Sequence, residues 1–103
     1  MKNWPYEMTI CFVNDFKKRV KVRKVFNELF DTADIETIAR EEKIESEGYT
    51  IHVICDIKAE TMDKALKINT RLSENFQSRL KKIFGPDMKG LKSHSGGLHV
   101  FLE

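Results

Sequence analysis

An α+β domain with two helices packed on one face of an antiparallel sheet is predicted by three features of this sequence. Apolar runs rich in strand formers stand at Tyr6 to Val13 and at Tyr49 to Ile57. Each is followed by a stretch whose apolar residues recur every three or four positions, as on one face of a helix. No Pro-rich or Ser/Gly-rich linker interrupts the middle of the chain, and 103 residues are too few to divide into two self-sufficient cores. Residues 1–103 are therefore read as a single domain.

The first run, Tyr6 to Val13, is apolar on both faces through Met8-Thr9-Ile10-Cys11-Phe12-Val13, as a central strand should be. Asn14-Asp15 breaks it, and Asp15 is placed to cap a helix over 15–31. Val22, Val25, Phe26, Leu29, Phe30 and Ala33 form its inward stripe. The alternation of Arg19-Val20-Lys21-Val22-Arg23 also fits a strand, so the start of the helix has a rival reading. Residues 35–45 are open too. Ile38, Arg40, Glu42 and Ile44 alternate like an exposed edge strand, whereas Asp34 could cap a short helix with Ile35, Ile38 and Ala39 inward. The sequel favours the strand: Glu47-Gly48 is a turn signal, and beyond it Tyr49, Ile51, Val53, Cys55 and Ile57 give one apolar strand face. The opposite face reads Thr50, His52, Ile54, Asp56 and Lys58. From Thr61 a long helix carries Met62, Ala65, Leu66, Asn69, Leu72, Phe76, Leu80, Ile83 and Phe84 inward and ends at Gly85-Pro86. After a Gly-rich loop, Leu98 to Leu102 is the expected last strand.

The order strand, helix, strand, strand, helix, strand resembles the ferredoxin-like βαββαβ arrangement. Right-handed crossovers then put the first and third strands side by side at the centre of the sheet, which accounts for their being the most apolar. This fold hosts ligand sensors, RNA binders, inhibitors and enzymes, so it does not name a function.

Composition narrows the class. With 41% apolar and 33% charged residues the chain is globular with a large solvated surface. No window approaches 18 consecutive apolar residues, and Met1 to Glu7 lacks the apolar segment of a secretory signal, so a cytoplasmic protein with no membrane contact is expected. Cys11 and Cys55 stand inside apolar runs with no Cys-x-x-Cys pair, and read as reduced, buried thiols. Together with three scattered His residues they match no metal-ligand spacing, and no cofactor is expected.

The net charge of +2 conceals a segregation along the chain. Six of the eight residues from Lys17 to Lys24 are basic. Eight acidic residues from Glu28 to Glu47 face only Arg40 and Lys43, and eight basic residues from Lys64 to Lys92 face only Glu74 and Asp87. On the first helix, like charges three and four positions apart repel, and bases near a helix N-terminus oppose the dipole. A sequence that keeps both small penalties points to use of the charge on an anionic partner, a nucleic acid or an acidic protein surface, through Lys17, Lys18, Lys21, Arg23 and Lys24. The bland reading is a solvated helix neutralised by Glu36 to Glu47.

Other signals weigh less. Gly48-Tyr49 echoes an RNA-recognition strand, but the aromatic and its alternate neighbours belong to the apolar face, whereas base stacking needs them outward. Ser93, His94, Ser95, Gly96 and Gly97 look like a flexible, donor-rich loop able to hold an anion. His52, His94 and His99 fit no nucleophile, general-base or metal motif, and the clustered carboxylates lack an apolar setting for acid-base work. No catalytic residue is assigned. Trp4 and Tyr6 either cover the sheet or stand exposed for a partner. The expected function is thus a non-enzymatic binding or regulatory protein with an anionic partner. The alternatives are a small-molecule sensor that forms a homodimer through the open sheet face around His52, Ile54, Asp56 and Lys58, and a small His-dependent enzyme.

Overall fold

A computed structural model describes residues 2–30, 32–45 and 48–98. Its elements run β1 (Lys2–Phe12), α1 (Phe16–Leu29), β2 (Ile35–Glu45), β3 (Gly48–Ala59), α2 (Met62–Phe84) and β4 (Leu91–Leu98). The sheet order is β2-β3-β1-β4 with every neighbouring pair antiparallel, so the fold is ferredoxin-like βαββαβ. β1 and β3 are the central strands, as their apolar content requires.

Alternation builds the two faces. Tyr6, Met8, Ile10 and Phe12 of β1 and Tyr49, Ile51, Val53, Cys55 and Ile57 of β3 are buried toward the helices. Val22, Val25 and Phe26 of α1 and Ala65, Leu72, Phe76, Leu80 and Phe84 of α2 meet them. Phe26 stacks on Phe30 at 5.2 Å between centroids and meets the edge of Phe76 at 5.1 Å, an arrangement aromatic quadrupoles favour. Both N-caps act through side chains: Asp15 accepts from the Lys18 amide, and Thr61 from the Lys64 amide. Trp4 lies partly buried against the core, its indole Nε1 donating to the Ala59 carbonyl at 3.0 Å, and Tyr6 is wholly inside. These aromatics close the sheet.

Four expectations change. Residues 35–45 are a strand, but a bulge between Thr37 and Ala39 inserts Ile38 and shifts the alternation, so Ile38 does not share a side with Arg40, Glu42 and Ile44. Ala33 lies exposed beyond α1, and Met62 and Leu66 are exposed on α2, because the helix's buried line runs through Ala65, Leu72 and Phe76. Cys11 is half-buried on the open sheet face while Cys55 is buried on the other. Finally, the predicted Gly-rich loop is β4 itself. A Cβ on Gly96 would come within 2.5 Å of the Met8 terminal methyl, so glycine here lets Met8 and Tyr6 pack across the edge strand. Residues 99–102 of the expected last strand, His99 among them, lie outside the described residues, as do Glu47 and Asp31.

Candidate functional site

The helices carry most of the positive charge. Of the 18 Lys and Arg, twelve lie on α1 and α2; of the 16 Asp and Glu, only Asp15, Glu28, Asp63 and Glu74 lie on these helices or their N-caps. The helical layer is thus +8 and the rest of the chain −6, a separation across one small domain that yields a strong, oriented field.

The five residues of the predicted basic site divide by position. Arg23 points toward β2, where its Nε and Nη2 each donate to Glu42 at 3.0 Å in a bidentate pair, and Nη2 also reaches the Tyr49 hydroxyl at 2.9 Å. Arg40 joins this network, donating to Asn27 at 2.7 Å and to Glu42 at 3.2 Å while lying over the Phe26 ring. Burial alone would raise the Glu42 carboxyl, but the hydrogen bonds from Arg23, the Tyr49 hydroxyl and Arg40 together outweigh it and hold the group below the usual carboxylate range. Burial raises the Tyr49 phenol, and its hydrogen bond to Glu42 adds to the rise. Arg23 therefore serves the fold, locking α1 to the edge strand. Lys24 stands 4.0 Å from Glu28, which Arg79 holds more closely at 2.6 Å. Lys18 lies over the Phe84 ring at 5.3 Å. Lys17 and Lys21 are exposed, and among the described residues no carboxylate pairs with either.

The topology brings a second basic segment to the same place. The Val13 amide donates to the Gly90 carbonyl at 2.8 Å, tying the entry of α1 to the loop after α2. A cleft of about 550 Å³ between them is lined by Val13, Asn14, Asp15, Lys18, Phe84, Lys89 and Gly90. Lys81 and Lys82 occupy the last turn of α2, where they complement its dipole, and the Lys92 ammonium approaches Gly48. The start of the first basic stretch and the end of the second thus meet where α1 begins and α2 ends, while Lys64 and Arg71 stand toward the other end of α2, paired with Glu60 and Asp34. The sequence displayed both stretches; only the antiparallel course of the two helices joins their ends, so Lys89 was missed as a member of one surface, while Lys92 turns to the open sheet face beside Gly48 and Cys11.

The remaining candidates separate. Ser93 to Gly97 form a ladder with Thr9 and its neighbours, so their amides do not converge on a loop-bound anion. His52 pairs with Glu7 on the open sheet face, whereas exposed His94 stands opposite Ile10, on the alternate side of the sheet. The two imidazoles cannot act together. Burial pushes the Cys55 thiol up to about 12, which leaves it protonated and unreactive. Among the described residues no three His, Cys, Asp or Glu gather closely enough to hold a metal ion, and no helix is long and apolar enough to cross a membrane. A cavity of about 540 Å³ opens beside the β2 bulge over Phe26, Phe30 and Ile35, but its polar rim is internally paired, Thr37 to the Phe30 carbonyl and Lys58 to Glu36.

No family model matches the sequence, and no curated protein matches it. Solved structures do match in shape. A dimeric ferredoxin-like protein of unknown function from Thermobifida fusca is similar with a TM-score of 0.58 and 12% identity, over 98% of this chain and 93% of that one. The C-terminal domain of the MgtC protein from Mycobacterium tuberculosis gives 0.56 and 13%, over 94% and 88%. The ACT domain from GTP pyrophosphokinase of Chlorobium tepidum gives 0.54 and 8%, over 92% and 99%. At such identities the likeness establishes the fold alone.

Proposed function

We propose that the protein is a non-enzymatic binding or regulatory module that engages an anionic partner through the basic end of its helical layer, with Lys17, Lys18, Lys21 and Lys89 at the contact. The observation that carries this reading is the convergence of two sequence-distant basic segments, beside which no described carboxylate pairs with Lys17, Lys21 or Lys89. Uncompensated like charge held together in a fold weakens it slightly, and an anionic partner turns the same charge into attraction and faster association. The test is binding of two polyanions, oligothymidylate and polyglutamate, by fluorescence anisotropy over a salt series. Lys17→Glu, Lys21→Glu and Lys89→Glu together should abolish binding to whichever the native protein binds and flatten its salt dependence. Unchanged affinity and salt slope in that variant would discard the reading. Arg23→Glu is unsuitable as a probe because it also breaks the Glu42 network.

A second reading, a small-molecule sensor dimerising through the open sheet face, draws support from the dimeric state of the Thermobifida fusca protein. On this face Glu7, Glu36, Glu41, Glu45 and Asp56 outnumber Lys43, Lys58 and Lys92, with Ile54 exposed at its centre. Two copies face to face repel at low ionic strength. Self-association by this route should strengthen with added salt, opposite to polyanion binding, and sedimentation at low and high salt distinguishes them.

A further inference from the structure

The flank of α1 nearest β2 combines features that a solvated helix does not need. Phe16 is 68% exposed and Val20 49%, one helical turn apart, and Ile44 on β2 is 64% exposed directly across the ladder from Tyr49. Arg19 lies between the two groups, its guanidinium over Phe16 at 5.5 Å and over Tyr49 at 5.4 Å. Its Nε is buried and has no hydrogen-bond acceptor, and no described carboxylate pairs with it. A guanidinium already stacked on two rings has its orientation fixed, so an arriving carboxylate meets a prepared donor.

Resting on the anionic-partner reading above, we propose that this flank docks an acidic segment of a partner protein whose side chains alternate between carboxylates and aliphatic groups. The carboxylates meet Arg19 and, on the other side of Val20, Lys17; the aliphatic groups cover Phe16, Val20 and Ile44. Two arguments favour a protein over a nucleic acid. A phosphate backbone satisfies the bases and its bases can stack on Phe16, but it offers nothing to Val20 or Ile44, which are aliphatic and exposed. Interfaces of mixed apolar and Arg character are what protein partners use, with the apolar centre supplying affinity and the charged rim supplying orientation.

The experiment uses two fluorescent peptides of equal length and charge, one repeating Glu-Leu-Glu-Ser and the other Glu-Ser-Glu-Ser, and an oligothymidylate of matched charge. The Leu-containing peptide should bind about tenfold tighter than its Ser counterpart, the gain expected from covering one or two large apolar side chains. Phe16→Ser with Ile44→Ser should remove that advantage while leaving thermal melting unchanged, since both side chains are exposed. Arg19→Gln should weaken both peptides. Equal binding of the two peptides, survival of the advantage in the double variant, or tighter binding of oligothymidylate than of either peptide overturns the proposal and leaves the basic-surface reading intact. Binding of none of the three probes overturns both.

Discussion

The two faces of this sheet are made by the same strands, residue by residue in alternation, and have opposite characters. Toward the helices, Tyr6, Ile10, Ile51, Val53 and Ile57 are sealed into one apolar core. Toward solvent, Glu7, Thr9, Thr50, His52 and Asp56 form a polar surface with an acidic excess, while the layer that covers the first face carries the basic excess. The comparison shows how a chain of small net charge becomes strongly polarised. The helices contribute bases to their outer sides because their inner sides are committed to the core, and the open sheet face gathers the acids of β2 and β3.

Parity along β3 separates the two faces most strongly. Val53→Asp places a carboxylate in the core without a partner and should cost several kcal/mol, comparable to the whole stability of a domain this size, so the variant should be unfolded at room temperature. Thr50→Asp, on the opposite side and partly exposed, should cost less than about 1 kcal/mol. Thermal melts read both. Equal destabilisation would mean that the two faces are not distinguished as described.

The edge strand supplies a second pair of intermediate size. Gly96→Ala drives a methyl against Met8 and to within 3.1 Å of the Tyr6 hydroxyl, and should cost about 1–3 kcal/mol, toward the low end because the Met8 side chain can move. One residue further on, a Cβ at Gly97 meets nothing within 4 Å, so Gly97→Ala should be neutral or slightly stabilising. Chemical denaturation of the two variants separates these outcomes. A neutral Gly96→Ala would show that Met8 does not rest on β4.

What the sequence disclosed followed from periodicity. The period-two pattern from Tyr49 to Ile57 and the caps at Asp15 and Thr61 placed β3 and both helices correctly, because burial and capping are dictated within a few residues. The start of β4 was placed too late, at Leu98 rather than Leu91, because Ser93-His94-Ser95-Gly96-Gly97 has no strand propensity of its own; it is a strand because β1 offers a ladder and Met8 needs the space above Gly96. The site was half legible for a related reason. The run from Lys17 to Lys24 was conspicuous, but nothing local distinguishes Arg23, which is spent on Glu42, from Lys17 and Lys21, which are not. Nor could local pattern show that Arg19 would be sandwiched between Phe16 and Tyr49, thirty residues away on β3.

The smallest expected effect tests whether Glu42 differs from its neighbour on the opposite face. Its carboxyl is held below the usual range by Arg23, Tyr49 and Arg40 in the folded protein, so folding favours the ionised form. The stabilisation is therefore fully present above the ordinary carboxylate range and disappears as pH falls through the depressed value, where the folded state must also protonate. Glu42→Gln should lower the melting temperature at neutral pH, by a small amount because the pair is partly screened by solvent, and the difference from the native protein should vanish under acid conditions. Glu41→Gln, one residue away and turned to the open face opposite His52, removes no ion pair with Arg23 or Arg40 and should leave the melting temperature nearly unchanged at every pH. A Glu42→Gln deficit that persists undiminished at low pH would assign the loss to packing rather than charge, and would remove the electrostatic account of how α1 is fastened to β2.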